Sequence, residues 1–202
     1  MSILLVSVSF AQKKDAAVRK GNDLYKEKKY EGSLAEYNKA LAADEKNPVA
    51  SYNLGNALFR TEKMDEAINA YDNTIKNKST VPVRQKSFYN KGVAMMKQQK
   101  LQESIDAWKE SLKLDPNDTQ SRENLQKALM ELKKQQEQQQ KNKEQEKNKE
   151  QDKQQKQPKE QQSKLSKQQV EQLLKALQQK EKEVQQRLQK GNPSPTKPEK
   201  DW

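Results

Sequence analysis

The stretch Gly21–Leu41, GNDLYKEKKYEGSLAEYNKAL, decides the fold because its spacing comes back twice further along the chain. With Gly21, Gly55 and Gly92 set in register, the columns agree in size class. Three residues on stand Leu24, Leu58 and Met95; nine on, Tyr30, Met64 and Leu101; twelve on, the small Ser33, Ala67 and Ser104. Leu34, Ile68 and Ile105 follow, then the aromatic Tyr37, Tyr71 and Trp108, then Ala40, Thr74 and Ser111, then Leu41, Ile75 and Leu112. The period is 34 between the first two copies and 37 between the second and third, which places three inserted residues in the Lys76–Pro82 connection.

Each copy reads as two helices. Apolar residues recur at steps of three and four within Ala16–Glu27 and again within Glu31–Leu41, with a Lys-rich turn between them. The glycine of the first helix and the small residue of the second are expected where the two helices cross. Extra bulk at such a contact typically costs about 1–3 kcal/mol. Tyr37, Tyr71 and Trp108 are then expected to fill the space between one pair and the next, each burial contributing about 1.5–3 kcal/mol.

From about Asp15 to Asp118 this pattern resembles the tetratricopeptide repeat, a helix-turn-helix unit of period 34 with a Gly, Tyr, Ala, Phe, Ala signature. Departures are mild: Ser33 and Ser104 stand where Ala is usual, and Glu45 takes the place of the inter-repeat Pro that Pro116 keeps. After Asp115-Pro116-Asn117-Asp118, the stripe Leu125, Ala128, Leu129 and Leu132 fits a capping helix with one face toward the last repeat and the other toward water. The expected fold is therefore all-α: three repeats and a capping helix over residues 12–132, a Lys/Gln/Glu-rich spacer over 133–165, an isolated amphipathic helix over 166–190 and a tail over 191–202.

Composition narrows the function. Of 202 residues only 31% are hydrophobic while 34% are charged, too little core material to fold the whole length, and Lys133–Lys164 has no aliphatic or aromatic side chain. Cysteine and histidine are both absent, which removes disulfides, thiolate nucleophiles, Cys/His zinc sites and Ser-His or Cys-His catalysis. Asp and Glu sit among Lys at the intervals of a solvated helix face, and the five glycines form no phosphate loop. A binding protein without enzymatic activity, cofactor or metal is expected. Lys133–Trp202 carries 18 basic and 11 acidic residues, +7 of the chain's +11, but the Lys alternate with Glu and no aromatic is interleaved for base stacking, so nucleic acid is not the expected partner.

The start, MSILLVSVSFAQ, joins a short apolar run to Ser9-Phe10-Ala11, a small-x-small triplet of the kind signal peptidase cleaves after. Residues 1–11 read as a secretory signal with its true start upstream, and the run is too short to span a membrane. A frayed apolar N-terminus on a cytosolic protein is the alternative. In SKQQVEQLLKALQQKEKEVQQRLQK, Ser166 and Gln169 form a capping box, and Val170, Leu173, Leu174, Leu177, Val184 and Leu188 keep helical spacing. This helix and the terminal Trp202 are expected to dock on a partner; folding back on the repeats is the alternative.

By resemblance to the repeat family, the first helices line a groove. It should present Asn22, Tyr25 and Lys26, then Tyr52, Asn53, Asn56, Phe59 and Arg60, then Lys86, Tyr89, Asn90, Met96 and Lys97. Such Asn, Lys and Arg side chains can hold an extended peptide's backbone and carboxylates. Repeats that bind chaperone tails carry a five-residue carboxylate clamp; Asn22, Asn53 and Lys86 match three of its places, whereas Val18 and Asn90 stand where Lys and Arg belong. The whole arrangement, including QVEQLLKALQQKEKEVQQRL and the ending KPEKDW, resembles the repeat-containing Bat proteins of bacterial aerotolerance operons. That resemblance implies a periplasmic adaptor at the inner membrane, beside membrane-anchored von Willebrand factor A-type proteins. A cytosolic co-chaperone-like peptide binder is the alternative.

Overall fold

The computed structural model describes residues 16–77, 79–150 and 165–189, leaving aside the side chains of 144–150 and 188–189. The expected signal segment, the later part of the spacer and the tail with Trp202 lie outside the described residues. All regular structure among the described residues is helical. Helix α1 covers residues 16–26, followed by α2 (Tyr30–Ala43), α3 (Pro48–Arg60), α4 (Met64–Lys76), α5 (Val81–Lys97), α6 (Leu101–Leu114), α7 (Thr119–Glu150) and α8 (Lys167–Gln189). They divide into two compact units, residues 16–121 and residues 122–189. No described helix is long and apolar enough to cross a membrane.

In the first unit three antiparallel pairs repeat one local design. Each pair is closed by a residue in the left-handed region: Lys28 (φ 61°), Glu62 (φ 61°) and Gln99 (φ 60°). The next amide reaches back five residues, Lys29 N–H to Leu24 O at 2.9 Å, Lys63 N–H to Leu58 O at 3.0 Å and Lys100 N–H to Met95 O at 2.9 Å. This is the Schellman closure that normally recruits glycine; here long polar side chains occupy it. Between pairs, Asn47 caps α3 by accepting from the amides of Val49 (3.1 Å) and Ala50 (3.0 Å), with Pro48 in the first turn.

The three inserted residues are not in the connection between α4 and α5. Both inter-pair connections, residues 44–47 and 77–80, have four residues, whereas α5 has 17 residues against 13 in α3. The insertion adds a turn to the start of α5, where Pro82 supplies a fixed φ and needs no amide partner.

The glycine column is explained by a different neighbour from the one expected. A Cβ on Gly21 would lie 2.5 Å from Tyr37 Cε1, on Gly55 2.6 Å from Tyr71 Cε1 and on Gly92 2.6 Å from Trp108 Nε1. The aromatic ring of the second helix lies directly on the bare backbone of the first, within the same pair. Ser33, Ala67 and Ser104 are buried as predicted, but they are not what the glycine makes room for. Around these contacts Leu34, Tyr37, Ala57, Leu58, Ala67, Ala70 and Tyr71 form a continuous core, with Tyr25, Tyr52, Leu54 and Phe59 packed against it.

In the second unit α7 does not stop at residue 132 but continues as helix to Glu150. Leu125, Ala128, Leu129 and Leu132 are all buried. Ser166 and Gln169 form the predicted capping box, with Ser166 N–H donating to Gln169 Oε1 at 2.8 Å and Gln169 N–H to Ser166 Oγ at 3.3 Å. The expectation that α8 stands isolated is corrected. It runs antiparallel along α7: Lys167 Nζ meets Gln140 Oε1 at 3.5 Å, Gln136 Nε2 donates to Leu165 O at 3.0 Å, Lys133 pairs with Glu171 at 3.5 Å and Arg122 with Glu181 at 3.5 Å. Because α7 is longer than its apolar stripe suggested, it offers α8 a partner, and Val170, Leu174 and Leu177 are buried. Of the residues expected to dock on another protein, Leu174 and Leu177 are thus engaged within the chain. Leu173 and Val184 are half-buried, and the Leu188 side chain and Trp202 lie outside the described residues.

Candidate peptide-binding groove

The first helices α1, α3 and α5 are joined by a ladder of side-chain amides. Asn22 Oδ1 accepts from the Tyr37 hydroxyl at 2.9 Å and from Asn53 Nδ2 at 2.8 Å. One repeat on, Asn56 Oδ1 accepts from the Tyr71 hydroxyl at 3.0 Å and from Asn90 Nδ2 at 2.8 Å, and Asn90 also reaches the Tyr52 hydroxyl at 3.3 Å. Each rung therefore ties the second helix of one pair to the first helix of the next through a single oxygen. Burial raises the pKa values of the Tyr37, Tyr52 and Tyr71 hydroxyls above the ordinary tyrosine value, so these hydroxyls stay protonated at neutral pH.

Repeat three changes both partners of the rung together. Val93 replaces the Asn, Trp108 replaces the Tyr, and Trp108 Nε1 donates to the backbone oxygen of Tyr89 at 3.1 Å. An aromatic donor is kept, and its acceptor moves from a side chain to the main chain. Sequence reasoning treated Tyr37 and Tyr71 as space fillers and missed this role. The paired exchange of Asn with Tyr for Val with Trp was the signal that could have revealed it.

Asn22, Tyr25, Asn53 and Asn56 line one shallow recess with Tyr37 at its back. Two columns run beside the ladder. Tyr25, Phe59 and Met96 stand four residues after the glycines and are half-buried; Lys26, Arg60 and Lys97 stand five after and are exposed. Arg60 Nε donates to the Tyr25 hydroxyl at 3.3 Å, bridging the first two repeats, and this bond is the main reason its guanidinium is held even more firmly charged. Among the described residues none of Lys26, Arg60, Lys86 or Lys97 is ion-paired, whereas Lys91 is matched to Asp72 at 2.6 Å. Asn22, Tyr25, Tyr52, Asn53, Asn56, Arg60 and Asn90 are thus brought together by hydrogen bonds. Lys26, Lys86, Met96 and Lys97 share the first helices without being tied to the ladder, and Tyr89 contributes its carbonyl to Trp108. No cluster of carboxylates fit to hold a metal ion occurs among the described residues.

Comparison with known proteins agrees with this geometry. The family profile described as TPR repeat matches residues 21–62, and that described as tetratricopeptide repeat matches residues 52–119. The three helix pairs have the tetratricopeptide-repeat fold. Among solved structures, the first TPR domain of Spaghetti (RPAP3), bound to the HSP90 peptide SRMEEVD, is 29% identical. It covers 60% of this chain and 94% of that one, with a TM-score of 0.54. The second TPR domain of human RPAP3, in complex with the HSP70 peptide SGPTIEEVD, is 26% identical over 59% of this chain and 97% of that one, TM-score 0.55. MamA has the same fold at 14% identity, covering 86% of this chain and 81% of that one, TM-score 0.61. No curated protein matches the chain. Both RPAP3 domains are thus seen holding peptides of other proteins.

Proposed function

We propose that the TPR face of α1, α3 and α5 binds an extended, acidic segment of another protein, and that the chain is a non-enzymatic adaptor. One observation carries this reading. The Asn ladder leaves the Asn22 amide nitrogen and the Asn53 carbonyl without a partner among the described residues, beside three cations in register that are not ion-paired. A peptide backbone can use the amides, and acidic side chains spaced along it can use Lys26, Arg60 and Lys97. Val18 and Asn90 in place of clamp cations favour acidic side chains over a terminal carboxylate as the recognised group.

The setting we propose is the bacterial periplasm. There the adaptor belongs to a Bat-type aerotolerance complex, in the position of BatC, beside membrane-anchored von Willebrand factor A-type proteins. Support comes from the signal-like start and from the C-terminal combination of QVEQLLKALQQKEKEVQQRL with KPEKDW. A second reading, a cytosolic co-chaperone-like peptide binder, is favoured by the 29% identity to a TPR domain that holds an HSP90 peptide.

The test is affinity purification of the tagged full-length chain from cross-linked cells beside its Arg60→Glu variant. Von Willebrand-type membrane proteins recovered with the first and reduced about tenfold with the second, as loss of about 1.4 kcal/mol implies, support the periplasmic adaptor. Recovery of cytosolic chaperones alone would replace it with the second reading. Equal recovery by both variants would remove the groove from the account.

A further inference from the structure

Helix α7 keeps the register of the three first helices. Counting one period of 34 from Gly92 puts Gln126 in the glycine column. Five residues before the column position, Ala50, Ser87 and Ser121 are all 0% exposed; two after it, Ala57, Ala94 and Ala128 are 0–1% exposed. Three after it, Leu129 joins Leu24, Leu58 and Met95. The start of α7 is also fastened as a first helix would be. Ser121 Oγ donates to Ser111 Oγ at 2.8 Å, and Gln85 Nε2 donates to Asp118 Oδ2 at 2.6 Å.

What a fourth repeat lacks is its own second helix, because α7 runs on to Glu150 instead of turning. Helix α8 fills that place. The side chains of α7 that reach it, Arg122, Lys133, Gln136 and Gln140, lie on one stripe with Leu129. In repeat three the same stripe holds Gly92, under Trp108, and Gln85, whose carbonyl accepts from Ser111 of α6. The direction is antiparallel in both cases.

We propose that α8 is the second helix of a fourth, discontinuous repeat, and that the seat it occupies on α7 also accepts α8 of a second copy of this chain. The contacts that hold α8 are the same whichever chain supplies it. Lys133–Lys164 has no aliphatic or aromatic side chain, so nothing apolar in the connecting segment ties α8 to its own α7. The fourteen residues 151–164 span at most about 50 Å when extended. The return from Glu150 to the level of Gln140 is only about 15 Å of helix. The tether therefore permits self-closure without enforcing it. Its advantage is an effective concentration, on the order of a millimolar for short tethers, against which a second copy competes.

Zero-length cross-linking of the full-length chain tests this directly. Light and isotopically heavy protein are mixed, equilibrated from the micromolar range to about a millimolar, and treated with a carbodiimide that joins Lys133 to Glu171. Peptides linked within one isotope when dilute, with light–heavy pairs rising toward half of the total as concentration increases, are the expected result. Absence of the Lys133–Glu171 link would overturn the fourth repeat, and links that stay within one isotope at every concentration would overturn the exchange. The full-length Leu174→Asp variant should lose both kinds of link; their persistence would show that the apolar stripe does not hold α8.

Discussion

The three complete repeats and the α7–α8 pair are both antiparallel helix pairs, yet different chemistry holds them. In the repeats an aromatic ring lies on a bare glycine, small residues line the crossings, and tyrosine hydroxyls end on asparagine oxygens. Residues 122–189 contain neither glycine nor an aromatic residue; leucines and widely spaced charge pairs hold them instead. The first design is specified by size, so one added methyl group is felt. The second is specified by register along two long faces, so single positions matter less. Locality differs too: each ring finds its glycine sixteen residues back, whereas Arg122 and Glu181 are fifty-nine apart.

The largest effect should come from challenging size in the first design. Gly55→Val places carbons where the Tyr71 ring already lies and should destabilise residues 16–121 by about 3 kcal/mol or more. Gln126→Val, at the equivalent place in α7, should stay within about 0.5 kcal/mol. Chemical denaturation of both variants checks the contrast, and equal losses would erase the distinction between the two designs.

Next in size is the rung. Asn56→Val leaves the buried Tyr71 hydroxyl without its acceptor and should cost about 1–3 kcal/mol. Adding Tyr71→Trp recreates the pairing of Val93 with Trp108, and the double variant should recover much of that loss. A double-mutant cycle with zero coupling would break the idea that repeat three uses an alternative form of the same rung.

Alkaline titration separates the regions by charge. Tyr37 and Tyr71 have folded-state values raised by burial above the ordinary 10.0, so the folded state holds its protons more tightly than the unfolded state. Their contribution is complete below pH 10 and is lost as pH rises above it, by about 1.4 kcal/mol per tyrosine per pH unit. Residues 122–189 have no tyrosine and lack this linkage. The part of the phenolate absorbance that Tyr37→Phe or Tyr71→Phe removes should therefore appear together with loss of helical circular dichroism; that part appearing at full helicity would contradict the buried rungs. The smallest effect is a gain. Glu62→Gly at φ 61° should stabilise the repeats by about 1 kcal/mol, read as a raised melting temperature.

Most of the fold was legible because three copies in phase give each column three independent witnesses. The glycine column, the buried small residues and the capping box at Ser166 all follow from spacing. What escaped notice depends on contacts that spacing does not mark. The left-handed turns carry Lys28, Glu62 and Gln99, residues with no preference for that region, so composition pointed only to a polar turn. The insertion was assigned to a connection because Pro82 reads as a break, yet a proline in a first turn starts a helix. That Asn22, Asn53, Asn56 and Asn90 stand on the first helices was legible. Their mutual bonds were not, because each joins residues 31 or 34 apart whose amides can point in several directions. The pairing of α8 with α7 was hidden by the polar composition of residues 133–150, which reads equally as coil and as helix.

Trp108 gives the third repeat an optical signature of its own. The ring is 2% exposed and its Nε1–H is committed to the Tyr89 carbonyl, so its emission in the folded chain is that of a dry indole with a fixed orientation. Unfolding of this repeat alone would shift that emission to the red while the tyrosines of the first two repeats still absorb as buried phenols. With the Trp202 indole removed by Trp202→Phe, the chain carries one indole, in the third repeat, while Tyr25, Tyr30, Tyr37, Tyr52 and Tyr71 lie in the first two. The order in which the repeats open can then be read by two wavelengths from a protein that needs no label.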